Sequence, residues 1–166
     1  MKFKVGFGFD IHPLLNNTDF WLGGILIPHS KGASGHSDAD TLIHSICDAL
    51  LGAANLGDIG THFPDTSPEY KGIDSKILLA KTVELVKNAG YYIGNIDTTI
   101  CLQKPKIAQY IPEMKKTLAT VINIPESDIS IKATTTEKLG FIGREEGIAV
   151  YTVALIEQDK IIFPFA

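Results

Sequence analysis

At 166 residues, 45% hydrophobic and 20% charged, the chain has the length and balance of one globular domain with a sizeable core. A net charge of −4 without any Lys/Arg run argues against a nucleic-acid surface, and no apolar stretch is long enough to span a membrane. Met1-Lys2-Phe3-Lys4 leads into strand-like sequence with no signal peptide, so the cytoplasm is the expected location.

Residues 3–9, FKVGFGF, predict a first strand that ends on Asp10-Ile11-His12. A loop rich in Asn and Asp, residues 16–19, leads to Trp21–Pro28, expected to be a second strand hairpin-paired with the first. Within it, Gly23-Gly24 marks a bulge or a close approach. In the next stretch, residues 35–60, Leu42, Ile46, Ala49, Leu50 and Ala53 recur at three- and four-residue steps, which predicts a helix with one buried stripe. Asp40, His44 and Asp48 follow at i, i+4 on another face. Ser37 is the expected N-cap, with Asp40 completing a capping-box-like start, and the helix is expected to end near Gly57.

The loop over 58–73 carries two prolines and is long enough to be functional. Asp74-Ser75 predict the cap of a second helix running to about Asn88, with Gly90 as its C′ residue. Ile96, Thr98, Ile100 and Leu102 alternate with polar residues, as in a half-buried strand. Pro105 suits the first turn of a third helix, expected to reach about Ile122. Ile129, Ile131 and Ala133 mark another strand, and the nearly continuous apolar run 148–156 predicts a last one covered on both faces. The order β-β-α-α-β-α-β-β gives an α/β (α+β) class: a single sheet of mixed strands with helices on one face. The other face then needs cover, which a partner subunit would supply. The expected boundaries are one domain over 1–157 and an apolar tail over 158–166 that docks on the body or on a partner.

Asp10-x-His12 places an acid and an imidazole on one side of an extended segment. The pair alone fits a surface carboxylate beside a hydrogen-bonded histidine. Adding His44 makes a three-ligand set with an open fourth position, the pattern of catalytic zinc. Asp48 or His36 stand as alternatives for one of these ligands. Thr134-Thr135-Thr136-Glu137 offers hydroxyls for phosphate and a carboxylate for a hard cation, against the plainer reading of a β-branched strand end. Lys104-Pro105-Lys106 is a third polar cluster, suited to phosphate at a helix start. Nucleophile readings fare poorly. There is no G-x-S-x-G, no Walker-type loop and no His patterned beside Cys47 or Cys101, which read as buried thiols of a reducing compartment.

The segments GFGFDIH, LGGILIP, GHSDADTLIHSICDALLGAANLGDIGTHFPDT, YKGIDS, GYYIGNIDTTI, QKPKI and IKATTTEKLGFIGREEGIA resemble, in order, the motifs of the 2-C-methyl-D-erythritol 2,4-cyclodiphosphate synthase family. The resemblance runs from about Val5 to Leu155. It implies conversion of 4-diphosphocytidyl-2-C-methyl-D-erythritol 2-phosphate to the cyclic diphosphate with release of CMP, in the non-mevalonate isoprenoid pathway. It also implies a homotrimer with active sites between subunits. Asp10, His12 and His44 match the family's zinc ligands, and Ile11 lies between the first two. His36 and Ser37 match a mobile loop that meets the substrate phosphates. Asp58 matches the carboxylate that binds the polyol hydroxyls, beside Ile59, Gly60 and the loop Phe63-Pro64-Asp65-Thr66-Ser67.

Thr134, Thr135, Thr136 and Glu137 match the diphosphate region, with Glu137 holding Mg²⁺ or Mn²⁺. His36 and Thr135 are expected to stabilise charge on the transferred phosphoryl group. The cytosine segment corresponds to Leu102, Gln103, Lys104, Pro105, Lys106, Ile107 and Ala108. Leu102 and Lys104 stand where the family often has small residues, and Ile107-Ala108 replaces a larger apolar pair, which alters the pocket's shape. Phe141 and Arg144 match residues that in some members line a central cavity for an isoprenoid diphosphate. Two other readings compete: a zinc phosphodiesterase that uses bound hydroxide, and a trimeric binding protein for isoprenoid phosphates.

Overall fold

The computed structural model describes residues 3–158; the apolar tail, beyond its first residue, lies outside them. Strand β1 (Phe3–Asn16) continues well past His12. It pairs antiparallel with β7 (Gly147–Gln158), and its last residues pair with the short β4 (Lys31–Ala33). On its other side β7 pairs antiparallel with β5 (Tyr91–Cys101), which runs parallel to β6 (Ile129–Thr134). The five-stranded mixed sheet therefore has the order β4-β1-β7-β5-β6. Helices α1 (Thr41–Ala54), α3 (Ser75–Asn88) and α4 (Ile111–Ile122) pack on one face, with Leu42, Ile46, Leu50, Ile96, Ile100, Met114 and Val150 in a common core.

One contact sets the position of everything near the site. Gly6 and Gly8 lie on the inward face of β1, directly beneath α1. A Cβ on Gly6 would sit 1.8 Å from the Ala49 carbonyl oxygen, and one on Gly8 would sit 1.9 Å from that of Ser45. Only a strand without side chains there admits the helix backbone. Two residues of strand advance about 6.6 Å and four residues of helix about 6 Å, so strand and helix stay in step. The next inward positions after Gly8 are Asp10 and His12, which fall at the N-terminal end of α1, where His44 stands. Ser45 Oγ and Thr152 Oγ1, both buried and 2.7 Å apart, tie the same helix to β7.

Several local expectations change. The Trp21–Pro28 segment forms its own hairpin, β2 (Trp21–Leu22) with β3 (Ile25–Leu26), instead of pairing with β1. Gly23 and Gly24 are its left-handed turn (φ 63° and 76°), and both backbone N–H groups donate to the Asp40 carboxylate. Asp40, not Ser37, is the N-cap of α1, accepting from the Ile43 N–H at 3.0 Å. Ala39 takes φ 57°, which breaks the helical path between the two candidates. The helix closes at Asn55 in the left-handed region, two residues before Gly57. Helix α4 starts at Ile111 rather than at Pro105, because Leu102 and Ile107 turn into the core and Pro112 occupies the first turn.

Among the described residues, the last strand is covered on one face only. Tyr151 and Val153 are exposed and continue an apolar surface formed by Val5 (65% exposed), Phe7 (63%) and Phe9 on β1, with the Phe9 and Tyr151 rings 4.9 Å apart. Strand alternation survives in β7 because only its inward side meets the helices. Asp74 caps α3 as expected, and Gly90 follows its end at φ 82°. Gly8→Ala should destabilise the fold by about 3 kcal/mol or more, since backbone and not a flexible side chain must yield. Urea unfolding measures this; a midpoint equal to wild type would contradict the close approach.

Candidate active site

Asp10 and His12 on β1 and His44 on α1 bring three donor atoms together. The distances are 3.1 Å from Asp10 Oδ2 to His12 Nε2, 3.2 Å from Asp10 Oδ2 to His44 Nδ1, and 3.2 Å between the two ring nitrogens. The outer nitrogens have partners of their own. His12 Nδ1 donates to the Ser34 carbonyl at 2.9 Å, and His44 Nε2 meets Ser75 Oγ at 2.9 Å and Ser37 Oγ at 3.1 Å. With those protons placed outward, the inner nitrogens and the carboxylate oxygen point three lone pairs at one spot. Such an arrangement calls for a cation. Tetrahedral ligands about 2.0–2.1 Å from a metal lie about 3.3 Å apart, close to these separations. The donor set therefore fits zinc.

With no metal and the inner nitrogens protonated instead, burial opposes charge on Asp10, but hydrogen bonds from His12 and His44 outweigh it and hold its carboxyl well below the usual carboxylate range. Burial also presses the His12 imidazole down, and the Asp10 hydrogen bond outweighs it, so His12 is raised. Asp48 and His36, the alternative ligands, are engaged elsewhere. Asp48 Oδ1 accepts from the Ile59 N–H at 2.8 Å, and His36 Nε2 donates to the Ser67 carbonyl at 3.1 Å. Asp40 is fully buried under the hairpin turn, where burial raises its carboxyl against three backbone donors.

A cavity of about 490 Å³ opens over the triad, lined also by His36, Ser37, Ile59, Gly60, Phe63, Pro64 and Asp65. Asp58 caps the short helix α2 (Ile59–His62) at its edge, accepting from the Thr61 N–H and hydroxyl at 2.8 Å each. Thr66 is exposed, and Ser67 Oγ caps the turn Pro68–Tyr70. A separate cavity of about 320 Å³ is lined by Leu102, Pro105, Lys106, Ile107, Ala108, Thr134 and Thr135. Beside it the Thr135 hydroxyl donates to Glu137 Oε1 at 2.9 Å, Thr136 donates to the Leu139 carbonyl, Gln103 accepts from the Lys138 N–H, and Lys104 pairs with Glu145. The two cavities share no lining residue.

Ile11 and Phe141 line a third cavity of about 310 Å³ with Glu146, whose carboxylate holds the Arg144 guanidinium through two bonds of 2.9 Å. Burial pushes the Cys47 thiol up to about 12 and raises Cys101, so neither is an activated nucleophile. Two residues near the triad were expected to have no part in the site: Ser75, expected only in the cap of the second helix, and Asp38. The i, i+4 helical pattern cannot reveal them, because Ser75 arrives from the start of α3.

Residues 3–157 match the YgbB family. The 2-C-methyl-D-erythritol 2,4-cyclodiphosphate synthase of Bacteroides thetaiotaomicron is 64% identical over 159 residues, covering 96% of this chain and 100% of the relative. The synthase of Syntrophobacter fumaroxidans is 56% identical, with 94% and 98% covered. Among solved structures, the Plasmodium falciparum IspF complex with CDP has a TM-score of 0.84 at 36% identity, covering 95% of this chain and 97% of that one. The bifunctional IspDF of Campylobacter jejuni has a TM-score of 0.91 at 41% identity, and this chain spans 42% of its length.

The metal-free triad has a defined pH signature. His12 is raised, so its contribution to stability is full below its ordinary value of 6.5 and is lost as pH rises through the raised folded value. Asp10 is lowered, so its contribution is full above 3.8 and is lost as pH falls. Chelator-treated protein should therefore lose stability as pH rises above 6.5, whereas zinc-loaded protein gains there because its ligands must be deprotonated. Urea midpoints across pH 5–9 (about the range where His titrates) check this; parallel profiles with and without zinc would contradict it.

Proposed function

Because the chain belongs to the 2-C-methyl-D-erythritol 2,4-cyclodiphosphate synthase family, we propose that it cyclises 4-diphosphocytidyl-2-C-methyl-D-erythritol 2-phosphate and releases CMP, using zinc held by Asp10, His12 and His44. This is the phosphorus–oxygen lyase step of non-mevalonate isoprenoid biosynthesis. The observation that carries the reading is the convergence of three donor atoms from β1 and α1 in the cavity of about 490 Å³.

In this reaction an oxygen of the 2-phosphate bonds to the β-phosphorus while the bond to the α-phosphate oxygen breaks, and CMP departs with the electron pair. No protein nucleophile is needed. The task is to fold a flexible polyanion into in-line geometry. When bound, zinc supplies Lewis acidity and a template at the β-phosphate, and Mg²⁺ or Mn²⁺ held by Glu137 neutralises charge on the diphosphate. Asp58 receives the polyol hydroxyls, with Ile59, Gly60 and Phe63–Ser67 forming the wall on that side. His36 and Ser37 contact the phosphates from the loop before α1. The Thr134–Thr136 hydroxyls bind the diphosphate, and Leu102–Ala108 enclose the cytosine.

One substrate must touch both cavities, and they share no residue on one chain. We therefore propose a cytoplasmic homotrimer in which each site joins the triad cavity of one subunit to the Leu102–Thr135 cavity of its neighbour. The exposed apolar strand face of Val5, Phe7, Phe9, Tyr151 and Val153 would be covered in that assembly. Phe141 and Arg144 would then face a central space suited to an isoprenoid diphosphate. Residues 1–157 form the synthase unit in this reading.

Phosphorus NMR of the reaction products tests the proposal: a cyclic diphosphate with CMP is expected, and an acyclic phosphate would indicate attack by water. His44→Ala should lower cyclisation roughly 1,000-fold, the loss of several kcal/mol of charge stabilisation, while far-UV circular dichroism stays unchanged. Full activity in a zinc-free His44→Ala protein would contradict it. Glu137→Gln should raise the Mg²⁺ or Mn²⁺ concentration needed for half-maximal rate; an unchanged titration would remove that role.

A further inference from the structure

Behind His44 lies a chain of polar groups that the ligand set does not include. Ser75 Oγ is 2.9 Å from His44 Nε2 and 2.5 Å from Asp38 Oδ1. The Ser75 N–H donates to Asp38 Oδ2 at 2.9 Å. Ser75 is fully buried at the first position of α3, and Asp74 rather than Ser75 caps that helix. Its hydroxyl is therefore not needed for capping. Asp38 Oδ1 also accepts from the Asp40 N–H at 3.2 Å, and the Asp38 N–H donates to the Ile73 carbonyl at 3.1 Å. Both carboxylate oxygens thus accept, and neither is a donor.

These partners fix the direction of each proton. The carboxylate can only accept, so the Ser75 hydroxyl donates to Asp38 and turns a lone pair toward His44. His44 Nε2 must then carry hydrogen, which leaves Nδ1 as the lone-pair nitrogen facing Asp10 and His12. Ser37 Oγ, at 3.1 Å, is the weaker partner: it is partly exposed and already accepts from the Ala39 N–H.

We infer that Ser75 and Asp38 are positioning residues that hold His44 in its Nε2–H tautomer and so present Nδ1 to the metal. The inference rests on the zinc reading of the Asp10, His12 and His44 triad. Partners of this kind change metal affinity by roughly 10- to 100-fold when removed. Because they act in series, removing both costs no more than removing the more important one.

Zinc dissociation constants from chelator competition test this on the full chain, for wild type, Ser75→Ala, Asp38→Asn and the double variant. A ¹H–¹⁵N spectrum of the imidazoles in the zinc-loaded protein accompanies each, as a readout that loss of stability alone does not move. Asn at position 38 leaves one oxygen for the two Ser75 donors and sets an NH₂ against the other, so it weakens the relay without removing bulk. Each single variant should bind zinc roughly 10- to 100-fold more weakly, with a shifted His44 Nε2–H resonance, and the double variant should match the weaker single. Ser75→Thr, which keeps the hydroxyl, should restore affinity and resonance. If Ser75→Ala fails to fold, Asp38→Asn decides alone. Wild-type affinity in the variants, or fully additive losses, would overturn the relay while leaving the metal reading intact. Failure of the wild-type chain to bind one zinc would overturn both.

Discussion

The backbone-to-backbone approach of α1 to β1 is the constraint on which the rest depends. Two inward glycines remove the side chains that would hold helix and strand apart. The helix then runs along the strand in step with it, so the residues that follow the glycines meet the N-terminal turns of α1. Asp10, His12 and His44 are far apart in sequence, yet the packing leaves them little freedom to be elsewhere. A metal site whose ligands come from a strand and a helix in direct backbone contact is more rigid than one built on loops. In the proposed function the loops would handle the substrate and the regular elements would hold the metal.

The carboxylates around α1, Asp40 buried and Asp38 and Asp48 partly buried, show how that rigidity is maintained. Asp40 accepts from the hairpin turn and from the first turn of α1, so it fastens the β2–β3 hairpin to the helix start. Asp48 fastens the start of α2 two turns further on. Asp38 joins the loop before α1 to the start of α3. Each would be costly to bury without donors, and each has them. Asp40 and Asp48 of the i, i+4 stripe are therefore fasteners around His44, and of the carboxylates only Asp10 joins the candidate ligand set.

Much of this was legible in the sequence where a single element decides the pattern. The alternation in β1, the apolar stripe of α1, the Asp74 cap and Gly90 terminus of α3, and the β6 strand all depend on local period and local caps. Features decided by tertiary contact were not. Ser37 has better capping chemistry on paper than Ala39 allows it to use, because the left-handed Ala39 redirects the chain toward Asp40. Pro105 resembles a helix start, yet the burial of Leu102 and Ile107 keeps that segment irregular. The run 148–156 is apolar on both faces, and its outer face has no cover among the described residues. In the site, spacing alone left Asp48 and His36 open as ligands. Geometry removes them, while family resemblance supplied the substrate that no periodicity contains.

X-ray absorption at the zinc edge of the loaded protein bears most directly on the central claim, that close packing of α1 on β1 assembles a three-ligand metal site with one open position. Two imidazole nitrogens and light oxygen donors at about 2.0–2.1 Å, four-coordinate in total, are the expected first shell. A sulfur scatterer at about 2.3 Å, or a shell of oxygen atoms without imidazole, would contradict the account.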